Sequence, residues 1–403
     1  MTTNTSAASI PGGTSDYEEL FRKAIEQKPE LERVFELHPS ASPNISNEIH
    51  PLFRRSNFPT LSLRQYEAFG LGLRLASLFI TAEPMLEWWV HAAFGFRVPH
   101  PRNADKFVLE QAMEYNAGHT ASVEAALVSL ADFIDFDFDV YKGFFSLGRT
   151  SIREVRHPAA VSPHGLFREV NRQGKRIVTM LHAEFQTHAS KGFWEDPLDA
   201  QLRFSFLLAV TIVHEMTHAF GCMMRGTDDE EYIDADDPDT EWGFSWETWA
   251  LGGLLNPWKL AVAPTTTFLS NGWESRTKKK ANGGAPSSVV PMDWIARWFR
   301  RRFWKMLQTG HGVQMPPSCE LQIWQRSNRR GSLMSDIELL LNDECRTLHR
   351  TSGTKRKVDE VDGADSGYGT AESEKSADEN RRKRPRTESE EPVSPKTVKI
   401  DDS

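Results

Sequence analysis

Phe204, Phe206, Leu207, Leu208, Ala209, Val210, Ile212 and Val213 make a stretch that is apolar on every side, and His214, Glu215 and His218 follow it directly. Asp196-Pro197 ahead of it offers an N-cap and a proline at the first helical position, where no N–H is missed. No proline interrupts Leu198 to Gly221, so the segment predicts a helix buried all round and ended near Gly221 and Gly226. Three titratable side chains then enter a core together at its C-terminal end. Burying such groups without partners costs on the order of several kcal/mol. A shared metal ion removes that cost. His214 and His218 are four residues apart, which on a helix sends both rings out of one face, about one turn apart. Two neutral imidazoles suit Zn²⁺, and Glu215 beside them can take a proton from water that the metal activates.

His214-Glu-x-x-His218 is followed by the segment E-x-G-F-S-x-E from Glu241 to Glu247. Over Phe204 to Gly253 the chain resembles zinc metallopeptidases of the H-E-x-x-H type, the zincins, and in particular the gluzincins. It also resembles fungal proteins that carry both segments. The resemblance implies a zincin-like α+β fold, a catalytic Zn²⁺, a peptide or protein substrate, and Glu215 as general base.

A catalytic zinc site needs a third protein ligand. The metzincin position is occupied by Met224, whose thioether suits Zn²⁺ poorly, and this excludes that family. SprT-like peptidases, nuclear enzymes that digest DNA-crosslinked proteins, use a later histidine; here none occurs between His218 and His311. Cys222 lies one turn beyond His218 and reads as a buried structural thiol. A carboxylate on the next helix remains, as in the gluzincins. Glu247 is preferred, because between Trp246 and Trp249 in an apolar helix a carboxylate needs a cation; Glu241 is the alternative, since the helix macrodipole explains an acid at that start. The other glutamate would orient a histidine. His182 and Tyr232 are candidates for the oxyanion partner. The rival reading is a non-catalytic interaction or regulatory protein on a zincin scaffold. An intact Glu215 speaks against it.

The chain has 403 residues, 39% of them hydrophobic, enough for one large core. Cys222, Cys319 and Cys345 are odd in number and far apart, which fits a reducing compartment. Met1 to Asp16 lacks the cationic start and apolar block of a secretory signal, and Leu71 to Ala82 is broken by Arg74, so a non-secreted protein outside the membrane is expected.

Residues 1–14 read as disordered, 15–350 as one mainly α-helical zincin-like α+β domain with a small sheet, and 351–403 as a disordered tail. Helices are expected from Ser15, over Leu61 to Gly95 with a break at Pro84, over Asn103 to Phe133, over Met292 to Thr309 and over Ser335 to Arg350. Strands are expected from Ile134 to Tyr141 and from Lys175 to Phe185, the latter offering an edge to a peptide. Asp228 to Glu241 reads as a solvated acidic loop, and 261–291 as a linker or insertion. The cationic residues Arg297, Arg300, Arg301 and Lys305 read as the outer face of a core helix, with a membrane surface or nucleic acid as the alternative partner. In the tail, Lys355-Arg356-Lys357 and Arg381-Arg382-Lys383-Arg384-Pro385-Arg386 resemble nuclear localisation signals, which implies an import receptor as partner and a nuclear protein.

Overall fold

The computed structural model describes residues 25–26, 28–37, 42–111, 114–139, 147–154, 164–167, 175–257, 268–275, 285–309, 321–326 and 336–341. All lie in a compact unit, Met1–Glu360, of an α+β chain. The tail blocks, the segment around Ser15, Cys319 and Cys345 lie outside the described residues.

Helix α1 (Leu63–Thr81) starts at a capping box between Ser62 and Gln65, and Pro84 opens α2 (Glu83–Phe94) after a single intervening residue. Asn103 to Phe133 is not one helical region. Phe96–His100 and Asn103–Glu110 pair as the antiparallel hairpin β1–β2, and α3 (Ala117–Leu130) begins only after the cap Asn116, with Gly118 in its first turn. Pairing with β1 on one side and with the Tyr232 backbone on the other holds Phe107 to Leu109 extended.

Strand β3 (Ile134–Asp139) buries Ile134 and Phe136 and turns Asp135 towards Arg176, which binds it through two hydrogen bonds of 2.7 Å. It runs parallel to β5 (Lys175–His182), while β4 (Gly148–Glu154) pairs with β5 antiparallel, giving the order β3-β5-β4. Strand β5 is therefore central and has no edge to offer a peptide; among the described strands of this sheet the edge on the far side belongs to β4. The strand stops at His182, whose ring caps α4 (Ala183–Lys191).

The long helix α5 (Leu198–Arg225) runs through the core. By length and composition it could cross a membrane, yet 89% of its most apolar window is buried inside the protein. Asp196 does not cap it: Pro197 occupies the cap position, and the Asp196 carboxylate instead accepts from His188 Nε2 at 2.7 Å. Where α1 crosses α5, a Cβ on Gly72 would fall 2.8 Å from the Ser205 carbonyl oxygen, so glycine permits the close approach. Gly226, at φ 81°, ends α5 in the left-handed conformation.

After α6 (Trp242–Leu251) come β6 (Leu254–Pro257), β7 (Phe268–Asn271) and β8 (Ala285–Val289), then α7 (Met292–Arg297), α8 (Arg301–Gln308), β9 (Leu321–Arg326) and β10 (Asp336–Leu341). The strands form an antiparallel sheet in the order β10-β9-β8-β7-β6. Residues 261–291 thus contribute two strands rather than a plain linker, and Asp336–Leu341 is a strand where a helix was expected: pairing with β9 overrides the helix propensity of its leucines. Met292 to Thr309 is two helices, not one. The break leaves the Phe299 carbonyl free to accept from the backbone of Asn44 and Ile45, and Asn44 Oδ1 accepts from Arg301 N at the start of α8.

Candidate metal centre

His214 and His218 lie on the last turns of α5, with ring centroids 5.1 Å apart. Their Nε2 atoms converge on one carboxylate oxygen, Glu241 Oε1, at 3.1 Å and 2.9 Å. Among the described residues, His214, His218 and Glu241 are the group whose ligand atoms all fall within 4.8 Å of one another. Glu247 does not join them. Its Oε1 lies 2.8 Å from the opposite ring nitrogen, His214 Nδ1, and its Oε2 accepts from the Leu255 backbone N–H at 3.2 Å. The preferred order of the two glutamates is thereby reversed in space: Glu241 faces the space between the imidazoles, and Glu247 stands behind one of them.

Glu241 also caps α6, its Oε2 accepting from Phe244 N while Oε1 points at the histidines. Glu241 does sit where the macrodipole favours an acid, but a carboxylate has two oxygens and only one of them serves the cap. Glu247 does need a positive partner in its apolar surroundings, and an imidazole N–H with a backbone N–H supplies it.

His218 is held in the same way by a residue that the sequence did not single out. Its Nδ1 lies 2.6 Å from Glu230 Oε1, and Glu230 Oε2 accepts from Trp242 N at 2.9 Å. Glu230 is no part of a solvated loop: its side chain is 8% exposed. Beside it Glu231 pairs with Arg225 and Arg97, both at 3.2 Å, and the Arg225 guanidinium lies over the Trp242 ring. Tyr232 then joins β2 through its backbone and packs its ring at a tilt against His100, while the His182 ring accepts from Glu184 N. Cys222 is buried, which pushes its thiol up to about 11 and fits a structural role.

An ionised carboxylate is an acceptor only, so without an ion both nitrogens of each ring donate, Nδ1 to Glu247 or Glu230 and Nε2 to Glu241; an ion would displace the Nε2 hydrogens and leave each Nδ1 hydrogen in place, so that each Nε2 would offer it a lone pair. Burial would lower the pKa of both histidines, but the surrounding carboxylates outweigh it: Glu241 and Glu247 push His214 up to about 10, and Glu230 and Glu241 raise His218 well above its ordinary value. Burial would likewise raise Glu241, and the two imidazoles instead hold it far below the carboxylate range. Glu215 is 3% exposed; its burial raises its pKa against the opposing pull of His218, His214 and Thr150. Four carboxylates, those of Glu215, Glu230, Glu241 and Glu247, thus crowd around two imidazoles, with Arg225 3.9 Å from Glu230, a cluster of oxygen and nitrogen donors that suits a divalent cation.

Glycine makes room at two points. A Cβ on Gly243 would fall 2.4 Å from His214 ring atoms, and one on Gly148 would fall 2.6 Å from Glu215 Cγ and Oε1. The glycine of E-x-G-F is therefore a seat for the His214 ring. Gly243→Ala is expected to weaken any binding of a divalent metal ion here by about 10-fold or more, as for loss of an orienting contact, and titration against a chromophoric chelator would measure it.

Compared with known protein families, with curated proteins and with solved structures, the chain matches none.

Proposed function

We propose that this chain is a zinc-dependent peptidase with a zincin-like domain, in which His214, His218 and Glu241 hold the ion and Glu215 moves the proton. The observation that carries the reading is the orientation of the rings. Both Nε2 atoms face Glu241 Oε1 because Glu247 and Glu230 hold both Nδ1 atoms from behind. Two nitrogens and one carboxylate oxygen are the donor set of a catalytic zinc site. When bound, zinc supplies a Lewis acid and brings the acidity of water towards neutrality.

The remaining work belongs to the chain. Glu215 Oε2 accepts from Thr150, leaving Oε1 to take a proton from the attacking water and return it to the leaving amine nitrogen. Strand β4, at the edge of its sheet among the described strands and packed against α5, would offer an extended peptide a backbone to pair with. Glu247 and Glu230 keep the imidazoles aimed throughout.

Elemental analysis of purified protein tests the metal: about one zinc per chain is expected, lost in His214→Ala. A wild-type chain that neither retains nor takes up zinc would defeat the reading.

Nuclear residence is also proposed, through the basic blocks Lys355-Arg356-Lys357 and Arg381 to Arg386. Removing residues 351–403 should shift a fluorescent fusion into the cytoplasm and leave the melting temperature unchanged. A truncated fusion that stays nuclear contradicts it.

A further inference from the structure

Strand β4 meets Glu215 with two alternate residues on one face of the strand. At Gly148 the carboxyl group lies directly over the backbone, in space a Cβ would fill. At Thr150 the hydroxyl donates to Glu215 Oε2 at 2.7 Å; it also stands 3.1 Å from the Glu215 carbonyl oxygen and 3.2 Å from Thr179 Oγ1. Thr179 is the cross-strand partner of Thr150 on β5 and is fully buried, so the Thr150 side chain is held from its own sheet. A β-branched side chain is already stiff at χ1. One oxygen of Glu215 is therefore bonded to a rigid neutral donor while the carboxyl group rests on bare backbone.

We propose that β4 is a clamp for the general base, with Thr150 as a positioning residue that fixes the direction of the Glu215 carboxylate and Gly148 as the gap in which that carboxylate lies. The inference rests on the reading of Glu215 as the proton carrier. A lysine or arginine in place of Thr150 would hold the carboxylate by its charge; a hydroxyl fixes its direction without adding charge. Since a general base works only when its oxygen is in reach of the proton, loss of the clamp costs turnover rather than binding.

The test compares Thr150→Val, which keeps the shape and removes the hydroxyl, with Thr150→Ser, which keeps the hydroxyl. In zinc-loaded protein, Thr150→Val should lower kcat by about 10-fold or more, with KM and zinc content unchanged, and Thr150→Ser should restore most of it. Thermal melts of the metal-free protein give a readout that needs no activity. Thr150→Val should lower Tm by about 2–4 °C when Glu215 is present and by clearly less beside Glu215→Ala. Turnover of Thr150→Val within about twofold of wild type, or an equal loss of Tm in both backgrounds, overturns the clamp. A zinc-loaded wild type that cleaves nothing overturns the peptidase reading instead, and the melts then decide the contact on their own.

Discussion

Glu215→Gln should leave zinc content and fold intact and reduce peptide hydrolysis by ~10²-fold or more, the size expected on losing a general base. Gln keeps the volume that Gly148 and Thr150 accommodate, and its amide oxygen can still accept from the Thr150 hydroxyl, but it cannot take up a proton. The assay is cleavage of a denatured protein library by both proteins at equal zinc occupancy, with and without a chelator. Equal cleavage that ignores the chelator would sink the peptidase proposal, and no cleavage by either would favour the scaffold reading.

The second large effect separates the two glutamates of E-x-G-F-S-x-E. Glu241→Gln removes a charged donor at the convergence point of both Nε2 atoms, so zinc affinity should fall by more than ~100-fold, beyond the 10- to 100-fold range of residues that only orient a ligand. Glu247→Gln and Glu230→Gln should fall within that range, because each removes the acceptor behind one ring. Chelator competition gives the affinities. Should Glu247→Gln prove the more damaging, Glu247 and not Glu241 is the ligand.

The histidine pair was legible because it is local. Four-residue spacing and an all-round apolar flank decide where both rings go before any tertiary contact is known. Glu241 and Glu247 could not be ordered in that way, since both lie on the same short segment and their difference is one of direction. By its apolar neighbours Trp246 and Trp249, Glu247 is the carboxylate more in need of a positive partner. Its partner turned out to be the far nitrogen of His214. Glu230 was hidden for another reason: in a loop dense with acids, composition predicts solvation, and only the fold of Arg225, Trp242 and His218 around it makes it a buried acceptor. Strand β10 shows the same limit from the other side. Leu339, Leu340 and Leu341 are good helix formers, and antiparallel pairing with β9, the strand just before, decides against them.

Glu241 serves as both cap of α6 and counter-ion of the histidines on α5, so one side chain joins the start of one helix to the end of another. An ion seated there works as a removable crosslink. It binds only the folded arrangement, and it closes the loop between His218 and Glu241, so its affinity adds directly to the cooperativity of the surrounding unit. With the ion stripped out, the first turn of α6 keeps its cap and its ion pairs with the histidines but loses the stronger link through the metal, and amide hydrogen exchange should quicken at Trp242–Leu251 before it does in the middle of α5. If the proposed metal reading holds, a chelator would act on this protein as a local denaturant.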